Sequence, residues 1–262
     1  MPDVIPLLEL RDVCRDFSHG VFRPKTVHAV DHISFSLERG KTYGLVGNSG
    51  CGKTTLSRMI TRLLRPTSGR IYFQGEDIAG LSRRDGKDYH RRVQMIFQNP
   101  EASLDPNMTV RDSLLEAMAI HGLRTSWEED MERILATLDR VGVPEDLLSR
   151  YPHQISGGEG QRLGICRALL LEPEILLLDE PTSMLDVSVQ AHIMHIFRNL
   201  QRDMGLTYLY ITHDIELLGW ISHTIGVMRE GKIVEQGPRD KIMNDPQHPY
   251  TKELLHSYDH WE

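Results

Sequence analysis

The chain has 262 residues, 40% hydrophobic and 26% charged, with a formal net charge of −7 at neutral pH. That balance describes a globular protein large enough for one full core, or for a core plus a subdomain. The acidic total argues against a nucleic-acid partner, which would meet a basic face, and the longest apolar runs, such as "EILLLDE", are far too short to span a bilayer.

The opening "MPDVIPLLELRD" has acidic residues and no basic stretch, so no secretion signal is expected and the expected compartment is the cytoplasm. "LLELRDVCRDF" reads as a strand, and "HAVDHISFSLERG" alternates Ile33, Phe35 and Leu37 before a turn at Arg39-Gly40. "KTYGLVG" predicts a short buried strand. "GKTTLSRMITRLL" then predicts a helix with Leu56, Ile60, Leu63 and Leu64 on its apolar face, broken by "PTSG". "RIYFQGEDI" returns to strand. From about Asn99 to Leu170 the pattern is helical, through "TVRDSLLEAMAIHG", "SWEEDMERILATLDRVG" and "GEGQRLGICRALLLEP". "EILLLDEP", "LTYLYITHD" and "TIGVMREGKIVEQG" then supply strands around the helix "DVSVQAHIMHIFRNLQRDMG". Strands alternating with crossover helices predict an α/β fold with a mainly parallel sheet, interrupted by an inserted helical block.

Cys14, Cys51 and Cys166 form no CxxC pair, so neither a disulfide framework nor a structural metal is expected. His248, His256 and His260 read as a solvated tail rather than as ligands.

Gly47-Asn48-Ser49-Gly50-Cys51-Gly52-Lys53-Thr54, followed by Thr55, fits G-x-x-x-x-G-K-[ST] between a strand and a helix. The glycines let backbone N–H groups converge on phosphate oxygens without Cβ clashes. Lys53 supplies a point charge for the β- and γ-phosphates, and the Thr54 hydroxyl one ligand for Mg²⁺. Cys51 fills a variable position and reads as tolerated rather than catalytic. "EILLLDEP" supplies the second part: four apolar residues, Ile175 to Leu178, bury a strand whose carboxyl end carries Asp179 and Glu180. Ligands of open α/β sheets bind at that end, where Asp179 suits Mg²⁺ and Glu180 suits an attacking water. A second helix start, "ISGGEGQR" at Ile155 to Arg162, also looks like an anion site. Two phosphate cradles in one chain call for an explanation.

Together these parts resemble the nucleotide-binding subunits of ATP-binding cassette (ABC) proteins over nearly the whole chain. The resemblance implies a P-loop NTPase core with a mainly parallel sheet, an antiparallel β subdomain and an inserted helical subdomain. Residues 1–98 and 171–245 would form the core and β subdomain, 99–170 the helical subdomain, and 246–262 a short tail. It also implies a role for each matched residue. Phe17 would stack on adenine, and Gly47 to Thr54 would form the Walker A loop. Gln98, in "QMIFQNP", would sense the γ-phosphate through Mg²⁺ and water. Ser156, Gly157, Gly158 and Glu159 would be the signature motif, Asp179 the Walker B aspartate and Glu180 the catalytic carboxylate. Ser183 to Asp186 would be the D-loop, and His213, in "ITHD", the switch histidine. In the family the signature of one subunit faces the Walker A of another, with ATP clamped between, which answers the question of two cradles. Glu159 stands where the commonest family form has Gln. A carboxylate aimed at phosphates would repel them, so Glu159 is expected to turn toward neighbouring backbone or solvent.

"DVSVQAHI" and "NDPQHPYTKELLHS" resemble the peptide, dipeptide, nickel and metallophore importer ATPases, the tail being the more diagnostic. The tail also has a structural reading, an amphipathic helix with Tyr250, Leu254 and Leu255 merely packing. Many dipeptide and oligopeptide ATPases continue into a cysteine-bearing extension that can hold an iron–sulfur cluster. The sequence ends at Glu262 without one, so no cluster is expected, and the short tail suits nickel- or metallophore-type importers. The expected protein is thus a peripheral ATPase on the cytoplasmic face of the inner (plasma) membrane. It would dock on transmembrane permease subunits, pair with a second ABC ATPase, alike or different, and serve a periplasmic or extracellular substrate-binding protein indirectly, with no nucleic acid. The alternative is a soluble accessory ATPase, such as that of the carbon–phosphorus lyase system. A chromosome-maintenance head is disfavoured, because the stretch from residue 55 to 154 lacks sustained heptads.

Overall fold

The computed structural model describes residues 5–19, 25–97, 104–183 and 185–256. They belong to two compact units, one of Met1–Ser82 with Thr207–Glu262, the other of Arg83–Leu206. The expected helical block, 99–170, falls within the second.

The first unit begins with two long strands, β1 (Leu8–His19) and β2 (Lys25–Leu37), paired antiparallel. Period-2 alternation along β2 buries Ile33, Phe35 and Leu37, as the pattern predicts. β3 (Thr42–Val46) has no exposed residue, and α1 (Lys53–Ile60) follows it. β4 (Ser68–Phe73) and β5 (Glu76–Asp77) form a hairpin whose two turn residues, Gln74 and Gly75, both have positive φ, the signature of a type I′ turn. These strands make an antiparallel sheet in the order β2-β1-β4-β5. The same unit contains β8 (Thr207–Thr212), α7 (Ile215–Ile221), β9 (Thr224–Arg229), β10 (Lys232–Pro238), α8 (Arg239–Asn244) and α9 (Pro249–His256). β3 runs parallel to both β8 and β9, and β10 closes the edge antiparallel to β9. Strands of a parallel sheet are covered on both faces, which is why β3 and β8, buried along their whole length, read as near-continuous apolar runs.

Two details differ from the sequence pattern. α1 stops at Ile60, because Arg62 takes a left-handed φ of 60°. Leu63, expected on its apolar face, is consequently 65% exposed.

The second unit holds α2 (Arg83–Arg92), β6 (Val93–Ile96), α3 (Val110–His121), α4 (Trp127–Arg140), α5 (Gly157–Leu169), β7 (Ile175–Asp179) and α6 (Val187–Met204). Side-chain caps start the helices: Thr109 Oγ1 accepts from the Asp112 N–H at 3.2 Å, and Ser126 Oγ accepts from the Glu129 N–H at 3.2 Å. Gly122, with φ 71°, ends α3 in the left-handed conformation that glycine adopts without penalty. β6 and β7 pair in parallel. Leu114, Met118, Ile134, Leu163, Ile165 and Phe197 supply the buried apolar faces of these helices.

Candidate functional site

The apolar strand β3 delivers the chain to Gly47, and the loop from there to Gly52 leads into α1. Two of its glycines have no room for a side chain. A Cβ on Gly47 would lie 2.1 Å from the Met228 carbonyl, and one on Gly52 would lie 2.1 Å from the Ala29 carbonyl. Gly52 also has φ 114°, a conformation open only to glycine. Gly50, with φ 79°, has nothing within 4 Å, so that side of the loop is open. Asn48, Ser49, Gly50 and Thr54 are exposed, Thr55 is half-buried and Lys53 is buried. Lys53 Nζ donates to the carbonyls of Gly47 at 2.5 Å and Asn48 at 3.1 Å, and lies 3.8 Å from Cys51 Sγ. Burial raises the Cys51 thiol pKa against the opposing pull of Lys53, so the thiol stays protonated near neutral pH.

The same unit places a second expected residue beside this loop. Val46 of β3 pairs with Thr212 of β8, so Gly47 and His213 leave adjacent parallel strands at the same edge. His213 is exposed, and Asp214 caps α7 by accepting from the N–H groups of Glu216 at 2.9 Å and Leu217 at 3.3 Å. Phe17 lies on β1 opposite Val27, with the Arg15 guanidinium 4.7 Å from its ring centroid, a cation–π arrangement.

In the second unit, Asp179 ends the fully buried β7 and is itself buried. Ile96 of β6 pairs with Leu178, so the residues following each leave the same edge. Gln98, two positions past Ile96, lies outside the described residues. Glu180 adopts φ 48°, a left-handed conformation uncommon for a non-glycine residue. Its carbonyl accepts from the Ser183 N–H at 3.3 Å and the Ser183 hydroxyl at 3.1 Å, which closes a tight turn behind it. Met184 lies outside the described residues. Asp186 then caps α6, accepting from the Val189 N–H at 3.0 Å and the Ser188 hydroxyl at 2.8 Å. Those bonds, the Val189 N–H foremost, hold the Asp186 carboxyl below the usual range.

Ser156 caps α5 in a reciprocal box. The Ser156 N–H and hydroxyl each donate to one Glu159 carboxylate oxygen at 2.7 Å, while the Glu159 N–H donates back to Ser156 Oγ at 3.4 Å. The Ser156 backbone N–H, then its hydroxyl, lowers the Glu159 pKa. Glu159 therefore turns onto neighbouring backbone. Gly157 has open space around it, whereas a Cβ on Gly158 would lie 3.0 Å from Val189 at the start of α6.

The residues present fit ATP and Mg²⁺. In the first unit the loop after β3 has an open glycine and an exposed Thr54 hydroxyl; in the second, taken by itself, β7 ends on the Asp179 carboxylate. Mg²⁺ favours such hard oxygen donors. One contact escaped the sequence reading: the phenol oxygen of Tyr250 accepts from the Asn48 N–H at 3.1 Å. These residues are 202 positions apart, and the sequence marks Tyr250 only through the "HPY" tail motif and as a packing residue of an amphipathic helix.

Comparison with known proteins agrees with this geometry. Residues 30–183 match a family described as ABC transporter, and residues 234–261 match one described as oligopeptide/dipeptide transporter, C-terminal region. The chain is 47% identical over 250 residues to the oligopeptide transport ATP-binding protein OppF of Bacillus subtilis, covering 95% of this chain and 81% of the relative. It is 44% identical over 250 residues to a putative peptide import ATP-binding protein of Brucella ovis, covering 95% and 78%. Among solved structures, cbiO1 of Clostridium perfringens, part of the ABC transporter complex cbiONQ, superposes with a TM-score of 0.80 at 28% identity, covering 92% of each chain. The ATP-binding cassette MJ0796, a dimer bound to ADP and Pi, superposes with a TM-score of 0.79 at 26% identity, covering 88% of this chain and 98% of that one.

Proposed function

The chain belongs to the ABC transporter family as an ATP-hydrolysing subunit, and from that premise we propose that it powers the import of peptides through a membrane permease. One observation carries the choice of peptide. The tail that marks the peptide-transport class, residues 234–261, is present beside a complete P-loop, and relatives named for oligopeptide transport match across 95% of the chain.

In this reading the N–H groups from Gly50 to Thr55 and the Lys53 ammonium bind the phosphates, and Phe17 stacks on adenine. Thr54, Asp179 and Gln98 offer the oxygen donors for Mg²⁺, whose charge offsets that of the phosphates. Glu180 orients and deprotonates the attacking water, and His213 holds a γ-phosphate oxygen. Ser156, Gly157, Gly158, Glu159 and Asp186 serve the nucleotide of a second ATPase subunit. ATP then favours the closed pair and its hydrolysis the open one, and that difference in affinity drives the permease. The subunit works from the cytoplasmic face of the inner membrane, and the substrate-binding protein reaches it only through the permease. Residues 99–170 act as the helical subdomain that meets the permease.

Co-purification tests this function. The tagged full-length chain, extracted from its native membranes in detergent, is expected to bring down an integral-membrane permease. Recovery with a soluble multienzyme complex instead would sink the importer reading. ATP hydrolysis by the complex with its binding protein is expected to rise with mixed oligopeptides. A response to Ni²⁺ or metal chelates alone would replace peptide as the cargo.

A further inference from the structure

The tail motif His248-Pro249-Tyr250 is folded onto the phosphate loop of its own unit. The Glu235 carboxylate on β10 accepts from the N–H groups of Gln247 at 2.7 Å and His248 at 3.0 Å, which fixes the approach to α9. His248 Nδ1 accepts from the Tyr250 N–H at 3.1 Å, which fixes the first turn. Tyr250 is thereby buried to 4% exposure, with the Arg229 guanidinium 4.9 Å from its ring centroid. Its phenol oxygen reaches the Asn48 N–H.

That contact completes the restraint of the first peptide group of the loop, Gly47–Asn48, whose carbonyl, that of Gly47, accepts from Lys53 Nζ at 2.5 Å. The Asn48 carbonyl already accepts from Lys53 Nζ at 3.1 Å and from the Cys51 N–H at 3.3 Å. With Tyr250 on its N–H, Asn48 is held at both polar ends, although it sits on an exposed loop. Downstream, the Gly231 N–H donates to the Cys51 carbonyl at 2.9 Å. The loop N–H groups that follow Asn48 point where this first peptide directs them, and phosphate binding depends on their convergence.

We propose that Tyr250 is a positioning residue for nucleotide binding: it braces the first peptide of the phosphate loop, and the tail motif exists in part to deliver its hydroxyl there. The proposal rests on the reading of Gly47 to Thr54 as the ATP cradle. It assigns the matched C-terminal segment a chemical task within the ATPase itself, distinct from any contact with permease or cargo.

Tyr250→Phe tests it, because it removes one oxygen and keeps the ring beneath Arg229. In the full-length protein this variant is expected to melt within about 2 °C of wild type, since surrounding packing is retained. Affinity for a fluorescent ATP analogue is expected to fall about two- to tenfold, the usual worth of one net hydrogen bond, with the loss appearing in KM more than in kcat. Amide exchange at Asn48, measured without nucleotide, is expected to accelerate. Unchanged affinity, or unchanged Asn48 exchange, would overturn the brace. A wild-type protein that bound no ATP would instead overturn the ATPase reading, and Asn48 exchange would still decide whether the brace exists.

Discussion

Glu180 is the residue at which backbone and chemistry conflict most openly. A strand continuing past Asp179 would send the next side chain to the opposite face. The left-handed φ of 48° breaks that alternation and re-aims the carboxylate, and the Ser183 bonds to the Glu180 carbonyl hold the turn. Such a conformation costs on the order of 1–3 kcal/mol and persists where surrounding structure over-determines it. Glu180→Gln keeps the shape, the turn and this strain while removing the basic oxygen. ATP affinity is expected to stay near wild type while turnover falls at least about 10²-fold, the usual worth of a general base. Single-turnover hydrolysis measures this, and undiminished turnover would remove Glu180 from the role of base.

At the level of elements, α5 begins with a box that satisfies Ser156 and Glu159 by each other. The folded Glu159 pKa is depressed below 4.5, so its contribution to stability is present above the ordinary carboxylate range. It is lost as the pH falls through the depressed value. Glu159→Gln is therefore expected to lower the melting temperature slightly at pH 7, by an amount that shrinks below about pH 4.5, and to change ATPase activity only modestly. A complete loss of activity would mean that the carboxylate acts on phosphate after all. The elements around these residues were legible in the sequence to different degrees. β3, the loop after it and β7 could be read because strands covered on both faces are continuous apolar runs. α2 could not, because "RRDGKDYHRR" shows no apolar stripe and buries only Gly86 and Tyr89. Leu63 was misplaced because periodicity carries no sign of the left-handed Arg62 that ends α1. The motifs gave the order of the candidate site residues. The Glu180 kink and the Tyr250 contact belong to backbone angles and long-range packing, which a linear pattern does not encode.

For the whole molecule, the chief consequence is that each chain has open space at two glycine rims, Gly50 in the loop after β3 and Gly157 at the start of α5. If each rim is completed by another subunit, damage to one must spread to a neighbour. Ser156→Arg subunits mixed with wild type are expected to lower total ATPase activity below the weighted average of the two, titrated by varying the ratio. Activity that follows that average would show that each subunit works alone. The brace on the phosphate loop also has a consequence in time. β3 waits for both of its sheet neighbours, β8 and β9, and Asn48 waits for a tyrosine 202 residues later. At a synthesis rate of roughly 5–20 residues per second, that interval is about 10–40 s. A nascent chain thus carries the sequence of the ATP cradle long before it can hold the cradle's shape. Fragments released early would bind nucleotide more weakly, and full affinity for ATP would report that translation had reached the tail.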